Sequence, residues 1–174
     1  VQGVFEWLPI SSEGIVALLS QFFVGELNPI DLALFLHLGT IPAVLVYFRR
    51  DWLDVLTFKN TSLLRFLVIT TMVSLAVGFP VYKTIRDIMV GHTLLFFMGF
   101  GLLSTSFLQK FSVKREIGSI GLAVIVGVLQ GLAVIPGLSR SGATIFGLSL
   151  GRLSPPNVLK VSYMMSVPVV LAVS

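Results

Sequence analysis

Of 174 residues, 55% are apolar and 20 carry a formal charge, 12 basic and 8 acidic. An ordinary soluble domain is about 25% charged. At 11% charged and a mean hydropathy of +0.98, this chain has too few polar groups to clothe a soluble surface. A soluble globular enzyme, a disordered tail and a nucleic-acid module are thereby excluded. The net charge of +4 comes from short basic clusters between apolar runs, the pattern of cytoplasmic loops in membrane proteins. Cysteine is absent, so disulfide, thiolate and zinc-finger chemistry need no consideration. The expectation is one all-α integral membrane domain over 1–174. It lacks an initiating Met and stops inside an apolar run, and so reads as a piece truncated at both ends.

In chain order, the first apolar run, Ile15 to Val24, is bounded by Gly14 and Gly25. It falls well short of the roughly 20 residues a spanning helix needs. Broken backbone at membrane depth is tolerated only where it is buried in protein or lines a watery cavity, so residues 1–25 are predicted to form a re-entrant hairpin. A spanning helix follows from about Pro29 to Phe48, opened by Asn28-Pro29 and closed by Arg49-Arg50-Asp51. A second covers about Ser62 to Phe79 and stops at Pro80; a third covers about Ile88 to Leu108 and ends in Lys110, Lys114 and Arg115. The run from Ile117 to Ile135 is interrupted by Gly, Ser and Gln before it meets Pro136, and Ala143 to Leu153 is short. Residues 129–153 are therefore predicted as a second re-entrant hairpin, with a fourth span from Pro156. Loops 49–65 and 109–116 are richer in Lys and Arg than loop 81–87, which puts the first and third loops in the cytoplasm.

An internal repeat organises these elements. Gln2-Gly3, Ser11 and Gly14 recur 128 residues later as Gln130-Gly131, Ser139 and Gly142, while Pro9 recurs as Pro136. Leu27-Asn28-Pro29, Asp31, Thr40 and Pro42 recur 126 residues later as Leu153-Ser154-Pro155, Asn157, Ser166 and Pro168. Repeat 1 covers about 1–108 and repeat 2 begins at about 118, incomplete. Three crossings between the hairpins would invert the second copy, so that both hairpins meet near mid-membrane. The second copy lacks counterparts of the second and third helices, and the natural protein is expected to continue past Ser174.

The hairpins hold the unusual polar residues: Gln2, Glu6, Ser11, Ser12 and Glu13 in the first, Gln130, Ser139, Arg140 and Ser141 in the second. Charges at membrane depth are expensive and are usually paired and cavity-facing. The simplest pairing is Glu6 with Arg140. One reading is a structural salt bridge pinning the hairpins together. The other is a phosphate site: Gly137 and Gly142 leave backbone N–H groups open to close approach, Ser139 and Ser141 add hydroxyls, and the guanidinium fork matches phosphate. A helix beginning after Gly142 would aim its positive end at the same spot. His37 is read either as a packing histidine or as a proton-transfer group facing the hairpins. His92 is read as interfacial, Trp52 as an interfacial anchor, and Asp51, Asp54, Asp87 and Glu116 as solvated loop charges.

The stretches Glu6-Trp7-Leu8-Pro9-Ile10-Ser11-Ser12-Glu13-Gly14 and Pro136-Gly137-Leu138-Ser139-Arg140-Ser141-Gly142 resemble the two signature motifs of the undecaprenyl-diphosphatase family, the bacitracin-resistance type of polyprenyl pyrophosphate phosphatase. The resemblance extends to His37-Leu38-Gly39-Thr40 and the Arg49-Arg50 helix end. It implies a multi-pass plasma-membrane protein with an inverted-repeat fold and an active site on the outer face. The implied activity is removal of the terminal phosphate of a C55 polyprenyl diphosphate, which recycles the carrier lipid for cell-envelope glycan synthesis. A divalent cation, Mg2+ or Ca2+, is implied as cofactor. The expected partners are the polyprenyl lipid and the bilayer, with a homodimer as the assembly to test and no nucleic acid. Glu6 matches the second glutamate of the first motif, Ser12 the proposed nucleophile or phosphate ligand, and Arg140 the phosphate-binding arginine. Ser11, Ser139, Ser141, Gly137, Gly142 and Gln130 are expected around the substrate, and Glu6, Glu13 and Gln2 around the metal. Three positions depart from the family pattern: Gln2 replaces a glutamate, Glu13 a threonine, and Ile15 a histidine considered catalytic. A lipid-phosphate transporter or flippase that binds the same head group without cleaving it is the alternative, and a structural subunit stapled by Glu6–Arg140 is the third reading.

Overall fold

The computed structural model describes residues 12, 15–16, 35–85, 96, 99–101, 103–104, 107, 119–135, 137–151 and 153–173. The predicted first hairpin, apart from Ser12, Ile15 and Val16, lies outside them, as do Gln2, Glu6, Ser11, Glu13, Trp7, His92, Asp87 and Glu116. The elements among the described residues are all helices, with no strand.

An apolar helical stretch, Phe35–Tyr47, contains a tight 3-10 turn at Leu38–Thr40 and then α1, Ile41–Tyr47. Pro42 has no N–H to give, and the Leu38 carbonyl instead receives the N–H of Ile41, which is what tightens the turn. The expected single helix ending at Arg49-Arg50-Asp51 is corrected here: those residues open a second helix, α2, Arg49–Leu56, after a break at Phe48. Asp51 sits in the first turn of α2, where the helix dipole favours a carboxylate. The chain turns through Phe58, in the left-handed region at φ 58°, to Asn60. The Asn60 side-chain oxygen accepts the N–H of Leu63 at 3.0 Å and so starts α3, Thr61–Ile85.

With 25 residues, α3 is about 37 Å long at 1.5 Å per residue, enough for a hydrocarbon core of about 30 Å. It runs through Pro80 rather than stopping there. Proline within an apolar helix is tolerated when neighbouring groups take up the freed carbonyl. Within 119–132 the predicted interruption does not occur: α4, Ser119–Leu132, is continuous. Its glycines are used for close packing. An added Cβ on Gly127 would lie 3.0 Å from the Thr70 carbonyl oxygen, and one on Gly131 only 2.8 Å from that of Ser74. This lets α3 and α4 meet backbone to backbone, the usual way helices associate where lipid removes the hydrophobic drive. Ser74 Oγ donates across the seam to the Gly127 carbonyl at 3.0 Å.

After turns at 133–135 and 137–138 come α5, Arg140–Ser149, and then α6, Pro155–Val173. Of the described helices, α3 and α6 are long and apolar enough to cross a membrane. Helices α4 and α5, at 14 and 10 residues, are not. The core joins Val55, Leu67, Leu122, Val126, Leu148, Met164 and Met165 from five helices, and a smaller cluster packs Ile41 and Val44 of α1 on Val167 and Val170 of α6. Large apolar side chains point outward as well, including Tyr47, Met72, Phe79, Phe96 and Phe100. Asp51, expected as a solvated loop charge, instead pairs with Lys160 of α6 at 2.8 Å, each side chain 31% exposed. Trp52, partly buried, packs against both clusters.

Thr40 and Ser166, 126 residues apart, make the same kind of local bond. Thr40 Oγ1 donates to the His37 carbonyl at 2.7 Å and Ser166 Oγ to the Tyr163 carbonyl at 2.6 Å, each two residues before a proline.

Candidate active site

The site is built at the turn between α4 and α5. Gly137 takes φ 92°, a left-handed conformation that a side chain would strain, and it lets the chain reverse within a few residues of the end of α4. Ser139 is extended, at φ −65° and ψ 118°, and caps α5: its Oγ accepts the N–H of Gly142 at 3.1 Å. The expectation of a helix starting after Gly142 is therefore corrected. The helix starts at Arg140 because Ser139 is a better cap than the glycine, and the Gly142 N–H is engaged by that cap instead of being open to a ligand. Ser141 Oγ lies 3.1 Å from Ser139 Oγ, and both serines are buried.

Arg140 occupies the first position of α5. A cation there works against the positive end of the helix dipole, so the guanidinium and the helix end both favour an anion in front of them. One turn on, Thr144 Oγ1 donates to the Arg140 carbonyl at 2.9 Å, which leaves Ser162 as donor in the 2.6 Å bond between the Ser162 and Thr144 hydroxyls. This buried pair fixes α5 against α6.

Arg140 opens on a cavity of about 260 Å³ between α3, α4, α5, α6 and the stretch before α1. One part of the wall is polar: His37, Ser74, Tyr82, Gln130 and Arg140. The other is apolar, with Leu75, Phe79, Val169, Val170 and Val173. The structure thus brings together Arg140, Gln130 and His37 from three separate elements. His37 is 2% exposed and Gln130 4%, so both belong to the interior. The Gln130 amide oxygen and nitrogen are buried, and neither meets a hydrogen-bond partner among the described residues. Ser12 is buried in a helical segment, Ile15 is half-buried beside it, and neither is in the described cavity wall.

Ser74, Tyr82 and Tyr163 were not singled out in the sequence. Ser74 and Tyr82 sit in or after a long apolar run that gives no signal of a site. Tyr163, within electrostatic reach of Arg140, stands 126 residues after His37, the offset expected of a repeat, and that spacing is a signal that could have found it.

The family described as bacitracin resistance protein BacA matches residues 1–174. A protein of Haloarcula marismortui named undecaprenyl-diphosphatase is 37% identical, covering 99% of this chain and 71% of its own length. Proteins of the same name from Methanococcoides burtonii and Methanothrix thermoacetophila are 34% and 33% identical, each over 98% of this chain and over 72% and 69% of their own lengths.

Proposed function

The chain belongs to the BacA family, and from that premise we propose that it is an undecaprenyl-diphosphatase, a hydrolase that removes the terminal phosphate of a polyprenyl diphosphate. The observation that carries the reading is Arg140 at the head of α5, in one cavity wall with Gln130 and His37. An anion-seeking end and an apolar end in the same cavity suit a diphosphate head with an isoprenoid tail. The head lies on Arg140, whose fork takes two phosphate oxygens, with Ser139, Ser141 and the backbone around Gly137 beside it. Ser11, Ser12 and Glu6 are assigned to the same site on the strength of the first sequence motif alone. The tail follows Leu75, Phe79 and Val173 toward the lipid. The nucleophile is water, or the Ser12 hydroxyl. His37 is the proton-transfer group, since Ile15 cannot serve as one.

A divalent cation, Mg2+ or Ca2+, held by Glu6 with Glu13 or Gln2, would neutralise charge on the leaving phosphate. Those three residues lie outside the described ones. Among the described residues no three His, Cys, Asp or Glu gather at one point, and the described cavity wall holds no carboxylate. Any such ion would draw its carboxylates from outside the described residues, and the proposal assigns them to the first hairpin.

The membrane arrangement proposed is multi-pass, in the plasma membrane, with the site on the outer face and two re-entrant hairpins related by an inverted repeat. The spanning lengths of α3 and α6, the short α4 and α5, and the matched Thr40 and Ser166 bonds support it. The physiological role is recycling of the carrier lipid for envelope glycan synthesis, and a homodimer is the proposed assembly. No observation favours non-hydrolytic transport.

The test is phosphate release from a C55 diphosphate by the purified full-length protein in detergent, with Mg2+, with Ca2+ and with chelator. Arg140→Ala is expected to lower release at least about 100-fold. Arg140→Lys restores little, because an ammonium keeps the charge but not the fork. Full activity in Arg140→Ala overturns the assignment. Binding that needs Arg140 without any release would move the transport reading to first place.

A further inference from the structure

We infer that Gln130 orients the water that attacks the terminal phosphorus, an inference that rests on the phosphatase reading above. Gln130 lies in the last turn of α4, lines the cavity with Arg140 and His37, and is 4% exposed. Its amide oxygen and nitrogen are both buried without a hydrogen-bond partner among the described residues. Buried polar atoms are nearly always paired, and an exception in a cavity wall points to a ligand.

The two atoms make opposite demands. The amide nitrogen needs an acceptor and the amide oxygen needs a donor. Phosphate oxygens satisfy only the first, because with a second pKa of about 6 a terminal phosphate at neutral pH mostly accepts and does not donate. The oxygen requires a second group that donates. The reaction has one such reactant: water, which must lie beside the phosphorus that Arg140 holds. With one hydrogen on the Gln130 oxygen, the water turns a lone pair toward the phosphorus, while the Gln130 nitrogen donates to a phosphate oxygen and fixes the distance between them. Orientation of an attacking water by a glutamine amide is an established device in phosphoanhydride hydrolysis.

The step balances. The water oxygen bonds to the terminal phosphorus. The bond from that phosphorus to the bridging oxygen breaks, and the bridging oxygen leaves with the electron pair as polyprenyl monophosphate. One water proton remains on inorganic phosphate and the other passes to the His37 imidazole and on to solvent. Gln130 neither gains nor loses a proton; it is a positioning residue.

The test compares wild type, Gln130→Met and Gln130→Glu, all full-length in detergent. Three readouts are taken: kcat with C55 diphosphate, the Kd for a non-hydrolysable methylene-bridged prenyl diphosphonate, and Tm without ligand. Gln130→Met is expected to lose about 100-fold in kcat, the usual scale for a misplaced reactant, and a smaller amount, about tenfold, in Kd, for the missing bond to a phosphate oxygen. Its Tm should rise by roughly 2–4 °C, because two unpaired buried polar atoms are removed. Gln130→Glu keeps an acceptor for the water but sets a negative charge beside phosphate. It should exceed Gln130→Met in kcat by about tenfold and bind the diphosphonate more weakly than either. Unchanged kcat with weakened binding in Gln130→Met would make Gln130 a head-group ligand and overturn the inference. A fall in its Tm would do the same, by showing the amide to be paired within the protein. Wild type that binds the diphosphonate but releases no phosphate refutes hydrolysis itself, before any variant is compared.

Discussion

Replacing Gly131 with alanine would force α3 and α4 apart, and the structure gives the scale of the effect. The new Cβ would stand 2.8 Å from the Ser74 carbonyl oxygen, 2.9 Å from Val77 Cβ and 3.1 Å from the Gly78 nitrogen. Carbon contacts are comfortable at about 3.5–4.0 Å, and a gap of 0.5–1 Å already forfeits a quarter to a half of the dispersion attraction across it. Two of these three neighbours are backbone atoms, so no side chain can swing aside and the helices must separate by roughly 0.6–1 Å. Overpacking of this kind costs about 2–3 kcal/mol. Alanine returns about 1 kcal/mol through its better helix propensity. The net loss of about 1–2 kcal/mol corresponds to a fall in Tm of about 2–8 °C for a chain of this size. Thermal unfolding in detergent reads it directly, with Gly39→Ala as control, since beyond its own chain neighbours and helix backbone no described atom lies within 4 Å of a Cβ built at Gly39. The control should match wild type or gain up to about 1 kcal/mol. Gly131→Ala as stable as wild type would refute the backbone contact between α3 and α4.

Three further outcomes are expected. Thr144→Val leaves the Ser162 hydroxyl without its 2.6 Å partner and should cost about 1–2 kcal/mol, part of which Ser162→Ala recovers in a double-mutant cycle. The Asp51–Lys160 pair, each side chain 31% exposed, should show a coupling of only about 0.2–1 kcal/mol that shrinks in high salt; a coupling that salt leaves untouched would contradict this. A Cβ on Gly101 would meet the Gly137 carbonyl carbon at 2.6 Å and the Leu138 nitrogen at 2.7 Å. Gly101→Ala should therefore displace the turn before Arg140 and lower phosphate release about tenfold or more, measured as kcat.

The sequence was informative where chemistry is concentrated and less so where packing decides. Pro136 to Gly142 marked the arginine, its serines and a helix N-terminus because Gly, Ser and Arg have few reasons to cluster in an apolar chain. The same composition misled about α4. Its glycines suggested interruption, yet in contact with α3 they are what permits the helix to continue. Pro80 suggested an end to α3 for a reason valid in water, where a freed carbonyl and an exposed turn fray together; inside a long apolar helix there is no such incentive. Asp51 looked solvated because its partner, Lys160, is 109 residues away. The joint placement of His37, Gln130 and Arg140 depends on how four helices pack, which no local pattern encodes.

The Asp51–Lys160 bond and the contacts of Ile41 and Val44 with Val167 and Val170 tie the beginning of the described chain to its end. During biosynthesis the 109 residues that separate the bonded pair take on the order of 5–20 s to make, at roughly 5–20 residues per second. Through that interval the inner faces of α1 and α2 have no α6 to meet, and the hole that Met164 and Met165 will fill stands open. Newly made chains thus pass through a long-lived stage in which these faces depend on lipid or on the insertion machinery for cover. A ribosome stalled before residue 155 would leave a chain that holds the α3–α4 seam and the Arg140 turn in sequence, yet without the helix that closes them into one body.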